Sequence, residues 1–405
     1  MIVFVKNQRN ESLMPTTCRK AKILLKQGKA KVIRIAPFTI KLTIQTGEAK
    51  QNLTLGIDTG SKIIGSAVVK DNGEVVYISE IEIRNDITEK MTRRSRYRRS
   101  RRSRKTRYRM SRFLNRKNSI KKGRFSPTMT SKINSHLKEI NFVKSILPIT
   151  KIILETASFD LHALSNPQVL TNKKLYQKGI NYGFLNTRAY VLDRDNHTCR
   201  NCKAKKVVIQ VHHIVFRSNN GSDKEDNLIS LCEKCHKELH KGKIKLRGGK
   251  VKSQFKYATQ MNSIRIQLLE RLPEAEETFG FITKAHRQLL NLPKEHYVDA
   301  VVIASQGQQV NLENNRVLRK KCVADGDYQQ TKGVRSEKKI PTGKIQGFRK
   351  FDKVRYLKKE YFVKGKMSTG YAQLMGVDNK LIKFKHIPKF SEMTRISARK
   401  TWMIC

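Results

Sequence analysis

Two CxxC pairs, Cys199/Cys202 and Cys232/Cys235, bracket the stretch HTCRNCKAKKVVIQVHHIVFRSNNGSDKEDNLISLCEKCHKELH. A segment this short and polar cannot build a core of its own, and four thiolates suit tetrahedral zinc. Of the seven cysteines only Cys18, Cys322 and Cys405 stand outside these pairs, a layout that in a reducing compartment means metal more often than disulfide. The four cysteines are therefore expected to hold a structural zinc ion within a compact module at 187–243.

The histidines of the module have a different job. His212 and His213 are adjacent on an expected strand, so their side chains point to opposite faces. One can ligate a cation while the other reaches a water. Asn227 follows in a DNL turn, His236 starts the last helix, and His240 is either an additional ligand or the helix end. A neutral imidazole, with a pKa of about 6.5, takes a proton at physiological pH. A single divalent cation stabilises charge on the phosphorane and the leaving oxygen. The plainer alternative is a zinc finger that only binds DNA, which has no need of two histidines and an asparagine at these positions.

Three acids stand in apolar surroundings elsewhere: Asp58 in GIDTG, Glu155 in ILETA and Asp299 in HYVDAVVIA. An unpaired carboxylate is costly there, and convergence around divalent ions would explain it. Two Mg²⁺ ions about 4 Å apart can activate a water and stabilise the leaving oxygen in phosphodiester hydrolysis. His296 precedes Asp299 by three residues, so on a helix both face one site. It is placed to orient the nucleophile or transfer a proton. Taken singly, each acid is as well read as a helix cap or an edge residue.

Between the first two acids lies RRSRYRRSRRSRKTRYRMSR, residues 93–112, with eleven Arg, one Lys and no acid. Arginine on every face leaves no apolar stripe to pack on a core. A charge run of this kind is often only solvated. Here Tyr97, Tyr108 and Phe113 interleave with it, and guanidinium forks pair with phosphates bidentately. The run is expected to be a long helix on RNA or DNA, carried by Arg93, Arg94, Arg96, Arg98, Arg99, Arg101, Arg102, Arg104, Arg107 and Arg109. The whole chain agrees: 85 Lys+Arg against 33 Asp+Glu give a formal charge of +52, which a polyanion neutralises. No apolar run approaches the roughly 18 residues of a membrane span, so no membrane partner is expected.

Around these features the chain reads as α/β. A helix through CRKAKILLKQ, capped by Thr16 or Thr17 and ended at Gly28, precedes a strand KVIRIAPFTIKLTI. LTLGID, IIGSAVV and a hairpin closed on Asn72-Gly73 follow. A helix over 131–147 leads to the strand KIILET, and residues 165–186 read as a polar linker. Helices are expected at 257–271, at 275–290 and from His296. Beyond about 311 the chain is basic and turn-rich, with strand-like pieces such as KVRYLKKEYFVKG.

HHI, NNGS, NL and CxxCH in succession are similar to the HNH nuclease motif. That resemblance implies His213 as the general base, His212 and His236 as holders of one divalent cation, and Asn227 as the group that orients His213. Asp or Glu often stands where His212 does. Strand, hairpin and strand after GIDTG resemble the RNase H-like fold of RuvC nucleases, with acids on the first strand, a later strand and a late helix. A RuvC-like core split by an arginine-rich helix and an HNH insertion resembles the transposon-encoded IscB proteins, relatives of the type II CRISPR effectors. SLMPTTCRKAKILLKQGKAKV looks like that family's PLMP-containing domain, with Ser12 where its first proline is expected. FDKVRYLKKEYFVKGKMSTGYAQL looks like its C-terminal region.

The resemblance implies an α/β multidomain protein. It would comprise a PLMP-like domain (1–52), RuvC-like segments (53–88, 126–165, 257–310), a bridge helix (89–125) and the HNH domain (187–243). Linkers would fall at 166–186 and 244–256, with an RNA- and target-adjacent-motif-interacting region at 311–405. It further implies an RNA-guided, Mg²⁺-dependent DNA endonuclease, a monomeric ribonucleoprotein of the prokaryotic cytoplasm. The HNH site would cut the guide-paired strand and the RuvC-like site the displaced strand, with the arginine helix against the guide RNA. A protein-only endonuclease and a non-enzymatic RNA-binding protein are the rival readings.

Overall fold

The computed structural model describes residues 2–47, 49–103, 125–216, 221–244, 246, 255–312, 316–324, 344–367, 369–399 and 401–404. The chain is mixed α/β and divides into two compact units, one of Met1–Ala157 with Met261–Cys405, the other Ser158–Gln260.

The first unit begins with strands β1 (Ile2–Lys6) and β2 (Ser12–Thr17), helix α1 (Cys18–Lys26), and strands β3 (Ala30–Arg34) and β4 (Thr39–Leu42). Thr17 caps α1 by accepting from the Lys20 amide, satisfying a donor the helix itself cannot. The single strand expected from KVIRIAPFTIKLTI is instead an antiparallel pair, β3 with β4, folded back around Ala36-Pro37; proline has no amide to donate to a continuous ladder. The four strands form one sheet in the order β2-β1-β4-β3.

Strands β5 (Leu53–Asp58), β6 (Ile63–Lys70) and β7 (Val75–Glu82) follow as an antiparallel meander. The β6–β7 turn carries Gly73 at φ 80°, a left-handed conformation that glycine adopts without steric cost. Helix α2 (Ile87–Ser103) takes in the start of the arginine run, and its Arg93 pairs with Glu89 at 2.6 Å. Arg104, Arg107 and Arg109, with Tyr108 and Phe113, lie outside the described residues. Helix α3 (Pro127–Lys144) and strand β8 (Lys151–Thr156) come next.

The second unit contains helices α4 (Leu161–Ser165) and α5 (Thr187–Arg194), strands β9 (Ile209–His213) and β10 (Leu228–Cys232), and helix α6 (Glu233–His240). The expected 165–186 linker includes two short 3₁₀ turns, Pro167–Leu170 and Lys173–Tyr176.

Helix α7 (Lys256–Arg271) leads back to the first unit, where strand β11 (Glu276–Phe279) precedes helices α8 (Gly280–Leu289) and α9 (His296–Ser305). The expected helix at 275–290 is thus shorter than read: its first residues pair parallel to β8. Strand β12 (Leu318–Cys322) pairs with β7. A four-stranded sheet follows, formed by β13 (Lys353–Tyr356), β14 (Lys359–Lys366), β15 (Ala372–Met375) and β16 (Thr394–Ser397). Strand β17 (Trp402–Ile404) closes the chain against β12.

The central sheet runs β11-β8-β5-β6-β7-β12-β17. Its alternation sends Leu53, Leu55, Ile57, Ile152 and Leu154 to one face, packed with Ile133, Ile140 and Val143 of α3. Helix α9 lies on the other face, with Ala300, Val301 and Ala304 against Ala67, Val69 and Ile78. A Cβ on Gly56 would lie 2.4 Å from the Ala300 carbonyl oxygen, and one on Gly65 1.9 Å from that of His296. Only glycine lets the helix backbone come this close.

Under the opposite face lies a buried ion pair. Lys320 Nζ donates to both carboxylate oxygens of Glu139 at 2.7 and 2.8 Å, and both side chains are 0% exposed. Tyr77 and Ser79 hydroxyls donate to the same carboxylate, and Nζ sits 4.2 Å from the Phe142 ring centre and 4.7 Å from that of Trp402. Burial lowers the Lys320 pKa, against the attraction of Glu139. Removing one partner strands the other charge. Lys320→Ala is expected to cost about 3–5 kcal/mol in a denaturant titration followed by Trp402, the chain's one tryptophan. Adding Glu139→Leu should recover part of it; an unchanged midpoint for Lys320→Ala would refute this. Among the described residues no helix is long and apolar enough to cross a membrane.

Candidate nuclease centres

In the second unit, β9 and β10 pair antiparallel with His213 opposite Leu228 and His212 opposite Ile229, and α6 starts directly after Cys232. The segment ahead of β9, the hairpin and α6 together carry two clusters. The thiols of Cys199, Cys202, Cys232 and Cys235 lie within 4.8 Å of one another. Cys202 and Cys232 sulfurs are 3.6 Å apart, well beyond the ~2.05 Å of a disulfide. Burial opposes ionisation of Cys199, but the amides of Cys202, Cys232 and Asn201 outweigh it and bring the thiol down to about 6. Burial pushes Cys235 up to about 12, and the neighbouring thiols add to that. Four cysteine sulfurs this close fit a zinc-binding site, where a bound cation would hold them as thiolates.

The second cluster is His212, His236 and His240, whose ligating nitrogens also lie within 4.8 Å of one another. His236 and His240 are one turn apart on α6 and so share a face. Ring centres are 4.8 Å apart for His212–His236, 5.0 Å for His212–His240 and 4.6 Å for His236–His240. His212 is buried, and its Nε2 has no hydrogen-bond partner. Burial, aided by the other imidazoles, drives its pKa down to about 4. A neutral ring with an unused buried lone pair fits a cation ligand. His240 lies within this cluster and also ends the helix.

His213 Nε2 lies 2.7 Å from Asp223 Oδ1. Asn227, expected to orient His213, contacts the loop backbone instead. It donates to the carbonyls of Val215 (3.0 Å) and Ser222 (2.7 Å) and accepts from the Val215 amide (2.8 Å). The reason is positional: Asn227 immediately precedes Leu228, the cross-strand partner of His213, so its side chain reaches the chain leaving β9 rather than the ring. Asn219 and Asn220 of the NNGS stretch lie outside the described residues.

In the first unit, parallel pairing of β5 with β8 sets Asp58 directly opposite Glu155, and β6 brings Gly65 to the other side of Asp58. Gly56, two residues before Asp58, faces α9, so the Asp58 side chain does too. The first turn of α9 then delivers His296, whose Nδ1 lies 2.6 Å from Asp58 Oδ2. That contact raises the His296 pKa, against burial. Asp299, one turn on, is paired with Arg287 of α8 at 2.8 Å. Burial pushes Glu155 up to about 7, with the charges of Asp58 and Asp299 adding to it and the Thr283 hydroxyl opposing. Burial likewise raises Asp299, with Asp58 adding to it. Glu155 Oε2 is buried without a partner. Three acids whose charges disfavour one another, with an orphaned oxygen among them, fit divalent cations. Asp223, Thr283 and Arg287 carried no sequence signal, being ordinary polar residues outside any motif.

Residues 3–179 match the family described as RRXRR protein, and residues 199–242 match HNH endonuclease. The five-residue pattern of the first name stands at Arg98-Arg99-Ser100-Arg101-Arg102. Over 64 residues the chain is 33% identical to the type IV methyl-directed restriction enzyme EcoKMcrA of Escherichia coli (strain K12), covering 14% of this chain and 23% of that enzyme. Streptococcus thermophilus Cas9 in complex with the GGAA PAM aligns with TM-score 0.38 and 14% identity over 52% of this chain and 30% of that one. The type II-C Cas9 enzyme from Actinomyces naeslundii gives TM-score 0.18 and 16% identity over 46% and 32%. The chain thus spans less than a third of each of these relatives.

With this match around the histidine and cysteine clusters, the second unit carries an HNH endonuclease domain. The RRXRR match lies ahead of it, so the chain joins an RRXRR region to an HNH endonuclease domain.

Proposed function

We propose that the chain is an RNA-guided DNA endonuclease with two cutting centres. The observation that carries this reading is the acid cluster: Asp58 opposite Glu155, with His296 and Asp299 over them, in a chain that also has an HNH domain. The proposal takes the central sheet as a RuvC-like, RNase H-like core, α2 as the start of a bridge helix, and the domain boundaries as read from the sequence.

At the HNH centre, His213 takes the proton of the attacking water. Asp223 accepts from its Nε2, which leaves Nδ1 as the lone pair. Asn227 fixes the loop that follows His213, and His212, His236 and His240 hold one Mg²⁺. At the other centre Asp58, Glu155 and Asp299 hold Mg²⁺, and His296 orients the nucleophile from its contact with Asp58. Divalent cations, when bound, supply the positive charge that offsets negative charge developing at the scissile phosphate. The four cysteines hold structural Zn²⁺.

The HNH centre would cut the guide-paired strand and the acid centre the displaced one. Arg93, Arg94, Arg96, Arg98, Arg99, Arg101 and Arg102 of α2 would lie against the guide RNA, and the +52 charge serves to enclose RNA and an RNA–DNA duplex together.

The test is co-expression with the DNA flanking its gene. The proposal expects one structured RNA to co-purify stoichiometrically, and cleavage to move when the guide segment is rewritten. Cutting of the same site without any RNA would establish the protein-only reading, which the 33% identity over 64 residues to a restriction enzyme favours. An RNA that binds with no Mg²⁺-dependent cutting would leave a non-enzymatic RNA-binding protein.

A further inference from the structure

One face of α8 is turned to the acid cluster. Gly280 sits where a Cβ would lie 3.1 Å from Glu155 Oε1, Thr283 is buried beside Glu155, and Arg287 reaches Asp299. Positions 280, 283 and 287 recur at helical spacing on one side. The guanidinium is almost enclosed, with Arg287 and Asp299 side chains 13% and 18% exposed. Although Arg287 Nε is 2.8 Å from Asp299 Oδ1, neither buried atom has a partner in hydrogen-bonding geometry. The two are held by charge alone. A cation entering the cluster therefore meets a carboxylate that already has a positive partner, attached through a contact lacking the directional bonds that make arginine–carboxylate pairs strong.

We propose that Arg287 is the resident counter-charge of the acid cluster, held against Asp299 and competing with a divalent cation for that carboxylate. The inference rests on reading the cluster as a cation site. Its sign separates it from a structural role. An arginine that merely supports the fold would weaken cation binding when removed, whereas a competing charge strengthens it.

The test is Mn²⁺ titrated into the full-length protein, with free ion followed by electron paramagnetic resonance. The acid-cluster sites are those that Asp58→Asn removes. Arg287→Gln is expected to tighten them roughly fivefold, and Arg287→Lys, which keeps the charge, to leave them within about twofold of the parent. Unchanged or weaker binding in Arg287→Gln overturns the role of Arg287 while the cluster stands. Should Arg287→Gln fail to fold, a fivefold change in Arg287→Lys overturns it as well. If Asp58→Asn removes no Mn²⁺ site, the reading of the acid cluster falls and the inference with it.

Discussion

His213→Ala is expected to leave an enzyme that nicks: the strand assigned to the HNH centre stays intact while the other is still cut. Loss of a positioned general base lowers the rate by about 10²–10⁴-fold. The role proposed for His213 draws on geometry already in place, with Nε2 2.7 Å from Asp223 Oδ1 and the loop behind it tied down by Asn227. Asp223→Asn keeps a group at the ring and should cost less than His213→Ala. Asp58→Ala should give the complementary nick. A duplex labelled separately on its two strands, cleaved in Mg²⁺ with the bound RNA, checks all three. Cutting of both strands by His213→Ala would remove that histidine from the chemistry.

The second large effect concerns the cysteine cluster. Structural zinc contributes about 10–16 kcal/mol to folding in small metal-built modules, and the apolar centre around Cys199, Ile209, Leu231, Cys232 and Cys235 is small. Cys199→Ser or Cys235→Ser should therefore lose the ion and unfold the β9–β10–α6 hairpin, with HNH-strand cutting falling as far as in His213→Ala. Cutting of the opposite strand should persist, because the acid cluster belongs to the other compact unit. Elemental analysis for zinc, beside the strand-resolved assay, decides it. A Cys199→Ser protein that keeps one zinc and cuts both strands would contradict the assignment.

Much of both centres was legible because expensive residues stand out. Asp58, Glu155 and Asp299 sit in apolar runs, and paired CxxC knuckles have few uses besides metal. What stayed hidden depends on tertiary neighbours. His240 is indistinguishable from a helix terminus until α6 is laid against β9 and brings its ring 5.0 Å from that of His212. Asp223 is an acid in a polar loop, and Arg287 one arginine among many. Lys320 reads as one more cation in a basic stretch, and only the closure of β12 beside β7 shows it buried on Glu139. Strand β11 looked helical because EETF has no alternation of its own and is a strand by virtue of pairing with β8. The β13–β14 turn is built on Leu357 and Lys358, both at positive φ, where glycine or asparagine is the usual signal.

The most direct test of the central claim, two separate divalent-cation centres and a thiolate zinc site, is anomalous diffraction from the protein–RNA complex soaked in Mn²⁺. Manganese peaks among Asp58, Glu155 and Asp299 and among His212, His236 and His240, with a zinc-edge peak only between the four cysteines, are the predicted result. Absence of manganese from the carboxylates while the histidines are occupied would contradict it.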